Sequence, residues 1–363
     1  MNDQSKWERV SDLLDNSGMT DLYDSLDHPG SPWWDLDALR PRLPLKYYHA
    51  LLMLIGGRKV QLDDLPEQVA EIVEDLEDLG FASLSDEGAD LNGLSLYRYR
   101  GCWLLADHAE SSPTLYYGDD SVELASRISP VPDGEALDLC TGPGIIALVE
   151  ATSGMHVTSV DVNPMALSLQ RANTRLNGIP GKVDTIKSDL FKDLPNQQFD
   201  LITVNPPLLP IPDGVPYPFV GDGGPHGLDV TLAVLGKAAR YLSATGTLLA
   251  VGMTTMRGLE IDQEPLLQST LARNGLTATM TVLQCAGVRH NSNWNRSIAM
   301  TSMAFAPDAY DSPESAVDMV EQGYRGMSVD GVCTFVLRVR IGDGGLTVLQ
   351  YGQPYSESMA WRL

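Results

Sequence analysis

The chain reads as an α/β protein, a doubly wound and mainly parallel sheet behind a small helical and winged N-terminal unit. Three observations predict it. Short apolar runs at 136–140, 157–160, 182–186, 201–204 and 247–251 alternate with helical stretches at 144–152, 164–176 and 230–242. That alternation is the rhythm of βαβ units, whose strands are covered on both faces and whose ligands sit at the strands' carboxyl ends. The first run ends in Thr141-Gly-Pro-Gly and opens directly into a helix. The first hundred residues differ from the rest, with two helical patterns followed by two short strands.

Taken in order, residues 1–107 form the acidic N-terminal unit, 108–255 the doubly wound core, and 256–363 a segment that completes the sheet and carries a lid-like insertion. The N-terminal unit has a loose start around Pro32, Trp33, Trp34 and Pro41. Helical spacing follows at 45–55, stopped by Gly56-Gly57, and again at 65–79, where Leu65, Val69, Ile72, Val73, Leu76 and Leu79 repeat on one face before Gly80. Strands are expected at 94–100 and 102–106. In the last segment a helix is expected near 259–274, a strand near 277–284, a polar loop at 287–296, a helix around 313–324 and two final strands at 333–340 and 346–351.

Composition narrows the function. The 363 residues include 48 acids against 25 bases, a net charge of −23, of which residues 1–100 carry −11. Nucleic-acid binding neutralises phosphates with Lys and Arg, so a general hold on DNA or RNA is not expected. The helix at 65–79 carries Glu67, Glu71, Glu74, Asp75, Glu77 and Asp78, which suits a packing or dimerising cap better than a DNA reader. Four cysteines with no C-x-x-C pair supply neither a disulfide framework nor a zinc site, and no metal is expected. The start lacks a basic, apolar leader and no 18-residue apolar run follows, so a cytoplasmic protein without a membrane span is expected.

The chemistry is concentrated in the core. Gly142 and Gly144 let backbone approach a ligand closely, and the helix that follows presents free N–H groups. Taken alone, G-P-G-I-I-A also satisfies a dinucleotide pattern, with Asp161 placed 17 residues past Gly144 as a ribose-binding acid. A dehydrogenase is therefore the formal rival. Asp138 argues against it, because a carboxylate at the strand end opposes a diphosphate but suits an amine or sulfonium cation. Further acids follow at Asp161 and Asp189, and Asn205-Pro-Pro closes the next strand, at intervals of 23, 28 and 16 residues.

This ordered series resembles the class I S-adenosylmethionine-dependent methyltransferases, in the small-domain branch with an Asn-Pro-Pro motif. The resemblance implies S-adenosylmethionine as cofactor. It makes Asp138, Cys140, Thr141, Gly142 and Gly144 the turn around the cofactor tail. Asp161, Val162 and Asn163 then lie at the ribose, and Ser188, Asp189 and Leu190 at the adenine. It adds Tyr117, Gly118 and Asp120 as a loop over the methionine end, with Tyr117 also a candidate catalytic residue. Asn205 and the carbonyl of Pro206 would accept hydrogen bonds from a substrate nitrogen, so that catalysis comes from positioning and desolvation.

Two departures bear on the substrate. Leu208 stands where relatives acting on planar amides or bases carry Tyr or Phe, so a stacking ring is missing. Five prolines from Pro206 to Pro216 stiffen the loop around it, with Tyr217, Phe219 and His226 as candidate pocket walls. Gly223-Gly224 and Gly227-Leu228 resemble a segment of the release-factor glutamine methyltransferases, and Arg289 in the polar loop is a candidate reader of a carboxylate. The leading expectation is methyl transfer to a nitrogen, or secondarily an oxygen, of a small polar molecule or peptide. The alternative is a cyclase of the azetidine-2-carboxylate type, in which the cofactor's own amine displaces methylthioadenosine.

Overall fold

The computed structural model describes residues 2–26, 35–109 and 113–350. Its N-terminal unit begins with two helices, α1 (Asp3–Asn16) and α2 (Met19–Asp24), where the sequence reading expected a loose start. The Asn2 side chain caps α1 by accepting from the Ser5 N–H at 2.9 Å. Trp7, Val10 and Leu14 bury a stripe so narrow between charged residues that periodicity alone did not reveal it. Pro32, Trp33 and Trp34 lie outside the described residues, and Pro41 sits in a 3-10 turn, Leu36–Arg42.

Helices α3 (Leu45–Leu54) and α4 (Glu67–Asp78) fall where the spacing places them. Helix α4 buries Val69, Ile72, Val73 and Leu76, and part of its acidic face is answered by α1. Lys6 pairs with Asp78 at 2.5 Å, and Arg9 bridges Asp75 at 2.7 Å and Glu71. Two antiparallel hairpins follow, β1 (Ser83–Ser85) with β2 (Gly88–Asp90) and β3 (Leu94–Tyr99) with β4 (Cys102–Asp107).

The core then runs α5 (Asp119–Ser126), β5 (Glu135–Leu139), α6 (Ile145–Thr152), β6 (His156–Asp161), α7 (Pro164–Leu176), β7 (Val183–Lys187) and β8 (Phe199–Val204). It continues through α8 (Asp229–Tyr241), β9 (Leu242–Arg257), β10 (Glu260–Ile261), α9 (Glu264–Arg273) and β11 (Leu276–Gly287). The last elements are α10 (Asn293–Phe305), α11 (Pro313–Gly326), β12 (Gly331–Ile341) and β13 (Gly345–Gln350). One sheet takes the order β13-β11-β12-β9-β8-β5-β6-β7, with β10 as a short hairpin on β9. Strands β7, β6, β5, β8 and β9 are parallel, and β12 runs antiparallel to both of its neighbours.

Residues 256–350 thus complete the same sheet as the core, and position 255 falls within β9 rather than at a linker. The chain leaves β5 toward β6 on one side, while β8 lies on the other. Loops therefore diverge at the carboxyl ends of β5 and β8 and open a crevice between them.

Two long-range contacts tie this crevice to the rest of the molecule. On the first side, α7 and the residue after it present asparagines to the free edge of β4. Asn177 accepts from the Trp103 N–H at 2.8 Å and donates to its carbonyl at 2.7 Å, and Asn173 does the same for Leu105 at 2.8 and 2.9 Å. Each side-chain amide stands in for a strand partner and satisfies an edge that would otherwise be open. Asn173 also donates to the Pro143 carbonyl at 2.8 Å, in the glycine turn.

On the other side, α10 and α11 pack against the proline-rich loop after β8. The Tyr324 hydroxyl donates to the Pro210 carbonyl at 2.6 Å and Ser302 donates to that of Pro216. Gly323 lies so close to Pro212 that a Cβ would meet it at 2.3 Å. The sequence reading expected a polar loop where α10 begins, and those polar residues instead build the helix start. Ser292 caps the Asn295 N–H, and Asn295 donates to the Val288 and Arg289 carbonyls.

Candidate functional site

The crevice holds a cavity of about 270 Å³. The glycine turn forms its floor. Cys140 (φ +59°), Gly142 (φ +53°) and Gly144 (φ +97°) all adopt left-handed backbone there. The two glycines serve different ends. A Cβ on Gly142 would meet nothing closer than 3.8 Å, so Gly142 leaves room on the cavity side. A Cβ on Gly144 would strike Gln170 of α7 at 2.4 Å, so Gly144 is needed for packing and does not line the cavity.

Asp161, at the end of β6, is the hinge of the turn. One carboxylate oxygen accepts from the Gly142 N–H at 2.9 Å and the other from the Asn163 N–H at 2.8 Å. Each oxygen keeps a second lone pair for a ligand donor. Thr141, Val162, Asn163, Ser188, Asp189 and Leu190 also line the cavity. Leu190 takes a left-handed φ of +51°, and Ser188 accepts from the Asp193 N–H at 3.0 Å, which shapes the turn after β7.

Asp138 occupies a different place from the one the resemblance implies. It lies 1% exposed beneath the turn, away from the cavity lining, and accepts from Thr141 at 2.6 Å and Thr203 at 3.3 Å. Thr203 also donates to Glu150 at 2.9 Å, so two fully buried acids share one hydroxyl. Burial raises the pKa of both, with repulsion from Asp138 adding to it at Glu150 and repulsion from Asp161 at Asp138. Cys140 lines the cavity, and its thiol pKa is pushed up by burial and by Asp161, Asp138 and Asp189. It is a small wall rather than a nucleophile.

The tyrosine of the loop before α5 is also reassigned. Tyr117 is turned into the N-terminal core, 4% exposed, with its ring 4.9 Å from that of Tyr97. Its neighbour Tyr116 lines the cavity, and the Tyr116 hydroxyl folds over Gly118, where a Cβ would meet it at 1.9 Å. The sequence reading missed Tyr116, although the alternation of neighbouring side chains makes one tyrosine of the pair face each way. Gly118 acts through that ring. Asp120 is 5% exposed behind it, near Asn205, and burial raises its pKa against the Tyr116 hydroxyl, the Asn205 amide and backbone N–H groups.

At the other wall, Asn205 follows β8 and lines the cavity with Pro207, Phe219, Val220, Val230 and Thr114. Its amide nitrogen donates to Ser121 at 3.1 Å, and its side-chain oxygen is buried without a partner. Pro206 lies buried behind this wall. Four residues expected to meet the substrate lie elsewhere. Leu208 is 5% exposed in the core, since the prolines around it turn Pro207 outward instead. Tyr217 faces Thr301 of α10, and burial pushes its pKa up to about 12. His226 is held by Thr255 at 2.8 Å and Asp262 at 3.4 Å. Arg289 lies outside the cavity lining, and its backbone carbonyl accepts from Asn295 at the α10 start.

Among the described residues lining the cavity there is no Lys, Arg or His, while Asp161 and Asp189 are acidic. This acceptor set fits a cationic ligand that offers hydroxyl and amino donors. The open Gly142 and the unpartnered Asn205 oxygen leave room and an acceptor beside it. With this strand order around it, the crevice resembles that of the class I S-adenosylmethionine-dependent methyltransferases.

Residues 119–274 match the family model described as methyltransferase small domain. The chain is 39% identical over 125 residues to a ribosomal protein uL3 glutamine methyltransferase of Xanthomonas campestris, covering 31% of this chain and 40% of the relative. A protein of the same name from Francisella tularensis is 32% identical over 138 residues, covering 35% and 44%. A putative protein N5-glutamine methyltransferase of Methanocaldococcus jannaschii is 29% identical over 133 residues, covering 35% and 66%. The chain thus spans less than half the length of the two ribosomal-protein enzymes it matches. Among the described residues, no helix is long and apolar enough to cross a membrane.

Proposed function

We propose that this protein methylates a side-chain amide nitrogen, of glutamine type, in a protein or peptide. The observation that carries the reading is the buried, unpartnered oxygen of Asn205 at the cavity wall, opposite the glycine turn. S-adenosylmethionine, when bound, supplies a methyl group on a good thioether leaving group, so no covalent nucleophile is required of the protein. The relatives named above are glutamine methyltransferases.

The chain's own residues then have separable tasks. Asp161 accepts ribose hydroxyls through the second lone pairs of both oxygens, and Asp189 accepts from the adenine amino group. Gly142 lets the backbone come close to the tail. Asn205 accepts an N–H group of a primary amide, which fixes the nitrogen in line and turns its lone pair inward. Tyr116, Pro207, Phe219 and Val220 exclude water around it. The stacking ring absent at Leu208 is supplied from outside the motif by Tyr116 and Phe219.

The test is incubation with methyl-labelled S-adenosylmethionine and a fractionated cell extract. Label in protein, with methylglutamine after digestion and loss of the label in Asn205→Ala, is the expected result. Label appearing in RNA or in a small molecule would overturn the amide reading. Methylthioadenosine formed from the cofactor alone would replace it with the intramolecular cyclisation.

A further inference from the structure

An asparagine can present either its oxygen or its nitrogen to a substrate, and only one choice accepts a hydrogen bond from an amide. Something must therefore fix the Asn205 amide, and its own strand does not. Its nitrogen donates to Ser121 at 3.1 Å and also faces the Asp120 carboxyl. Both belong to the first turn of α5, more than eighty residues away in sequence. Its oxygen, on the opposite side, has no partner.

Asp120 makes this choice one-sided. A carboxylate accepts and cannot donate, so only the nitrogen of Asn205 can face it favourably. Burial raises the pKa of Asp120, and four groups oppose that shift by favouring the charged form: the Tyr116 hydroxyl, the Asn205 amide, and the backbone N–H groups of Asp120 and Ser121 at the start of α5. The Tyr116 hydroxyl is held over Gly118, where no side chain fits, so it stays within reach of Asp120. Ser121 lies at the cavity surface and completes the grip.

We infer that Asp120 and Ser121 are positioning residues that lock the Asn205 amide with its oxygen toward the acceptor nitrogen. The lock rests on the reading of Asn205 as the acceptor's hydrogen-bond partner. It adds that α5, and not the Asn-Pro-Pro motif alone, decides whether that residue accepts or donates. A neutral amide at position 120 offers Asn205 either a donor or an acceptor, and both orientations then become populated.

The experiment uses the full chain labelled with ¹⁵N asparagine, with the Asn205 side-chain signals assigned by their loss in Asn205→Asp. In the parent protein one pair of protected, slowly exchanging amide protons is expected. In Asp120→Asn and Ser121→Ala the protection falls at least tenfold and the signals broaden or double, whereas Ser121→Thr, which keeps the hydroxyl, retains them. Cooperative melting verifies that each variant is folded. Unchanged Asn205 signals in folded Asp120→Asn and Ser121→Ala would overturn the lock whatever the substrate proves to be.

Methyl transfer to a glutamine peptide gives the second readout. A kcat at least tenfold lower in Ser121→Ala, restored in Ser121→Thr, is expected. No transfer by the parent protein, with the spectral changes present, would sink the amide-methylation reading and leave the lock standing. Equal kcat in Ser121→Ala and parent would remove the lock from catalysis.

Discussion

The two walls of the cavity are built in contrasting ways. The glycine-turn wall is assembled from the ends of adjacent parallel strands. Asp161 of β6 reaches the Gly142 N–H of the β5 turn, and neighbouring register delivers it there. The Asn-Pro-Pro wall depends on distant parts of the chain. Its loop hangs from α10 and α11, through Tyr324 to Pro210 and Ser302 to Pro216, and its asparagine is oriented from α5. A wall made by strand register is robust and belongs to the fold. A wall made by buttresses stands or falls with the packing of segments far apart in the chain.

This contrast is sharpest at Asp161. Asp161→Ala removes the ligand acceptor and also leaves the Gly142 and Asn163 N–H groups without their partner. S-adenosylhomocysteine affinity should fall about a hundredfold, or roughly 3 kcal/mol, by calorimetry. A loss below fivefold would mean that the turn holds its shape and ligand without the carboxylate.

A cut in the opposite wall should spare the cofactor. The Tyr324 hydroxyl donates to Pro210 and accepts from the Trp294 indole N–H at 2.9 Å, so Tyr324→Phe orphans a buried carbonyl and the N–H of a half-buried indole. A loss of about 2 kcal/mol of stability is expected, with S-adenosylhomocysteine affinity unchanged within twofold. Equal damage to both would erase the distinction between the walls.

The acids beneath the glycine turn give a pH signature to the first wall alone. Burial holds Asp138 and Glu150 toward their neutral forms, so their stabilising contribution is full below the unfolded carboxylate range. It is lost as pH rises toward about 7, the value to which Asp138 is pushed. Glu150→Gln keeps the shape, and its amide oxygen can still accept from Thr203. It should therefore flatten the decline in melting temperature between pH 5 and pH 8 and gain about 1 kcal/mol at pH 8. Parallel pH curves for variant and parent would show that the pair does not titrate in that window.

The smallest effect belongs to the N-terminal unit, remote from both walls. Lys6→Ala removes a pair with Asp78 whose carboxylate is largely exposed, and a change of about 0.5 kcal/mol or less is expected in denaturant unfolding. A larger change would mean that the α1–α4 contact is coupled to the core through α7.

Sequence reading reached the first wall because its logic is local. The turn residues, Asp161 and Asp189 each sit at the end of a strand that the apolar runs already mark, and parallel register brings such ends together. It failed where side-chain direction or remote packing decides. Tyr116 and Tyr117 are indistinguishable as letters, and the packing of Tyr117 on Tyr97 turns Tyr116 toward the cavity. Leu208, Tyr217 and His226 follow the motif closely, yet the core, α10 and the β9–β10 hairpin claim them. Asp138 has the right place at a strand end but too little exposure to meet a ligand.

By itself, the sequence determined the doubly wound fold and the position of Asn205, because strand rhythm and strand-end residues are properties of short segments, while the cofactor class came through the family resemblance of those residues. Only the tertiary structure decided which tyrosine faces the cavity, which acids are buried beneath it and which way Asn205 points. Those outcomes depend on hydrogen bonds and contacts between segments far apart in the chain, and no periodicity records them.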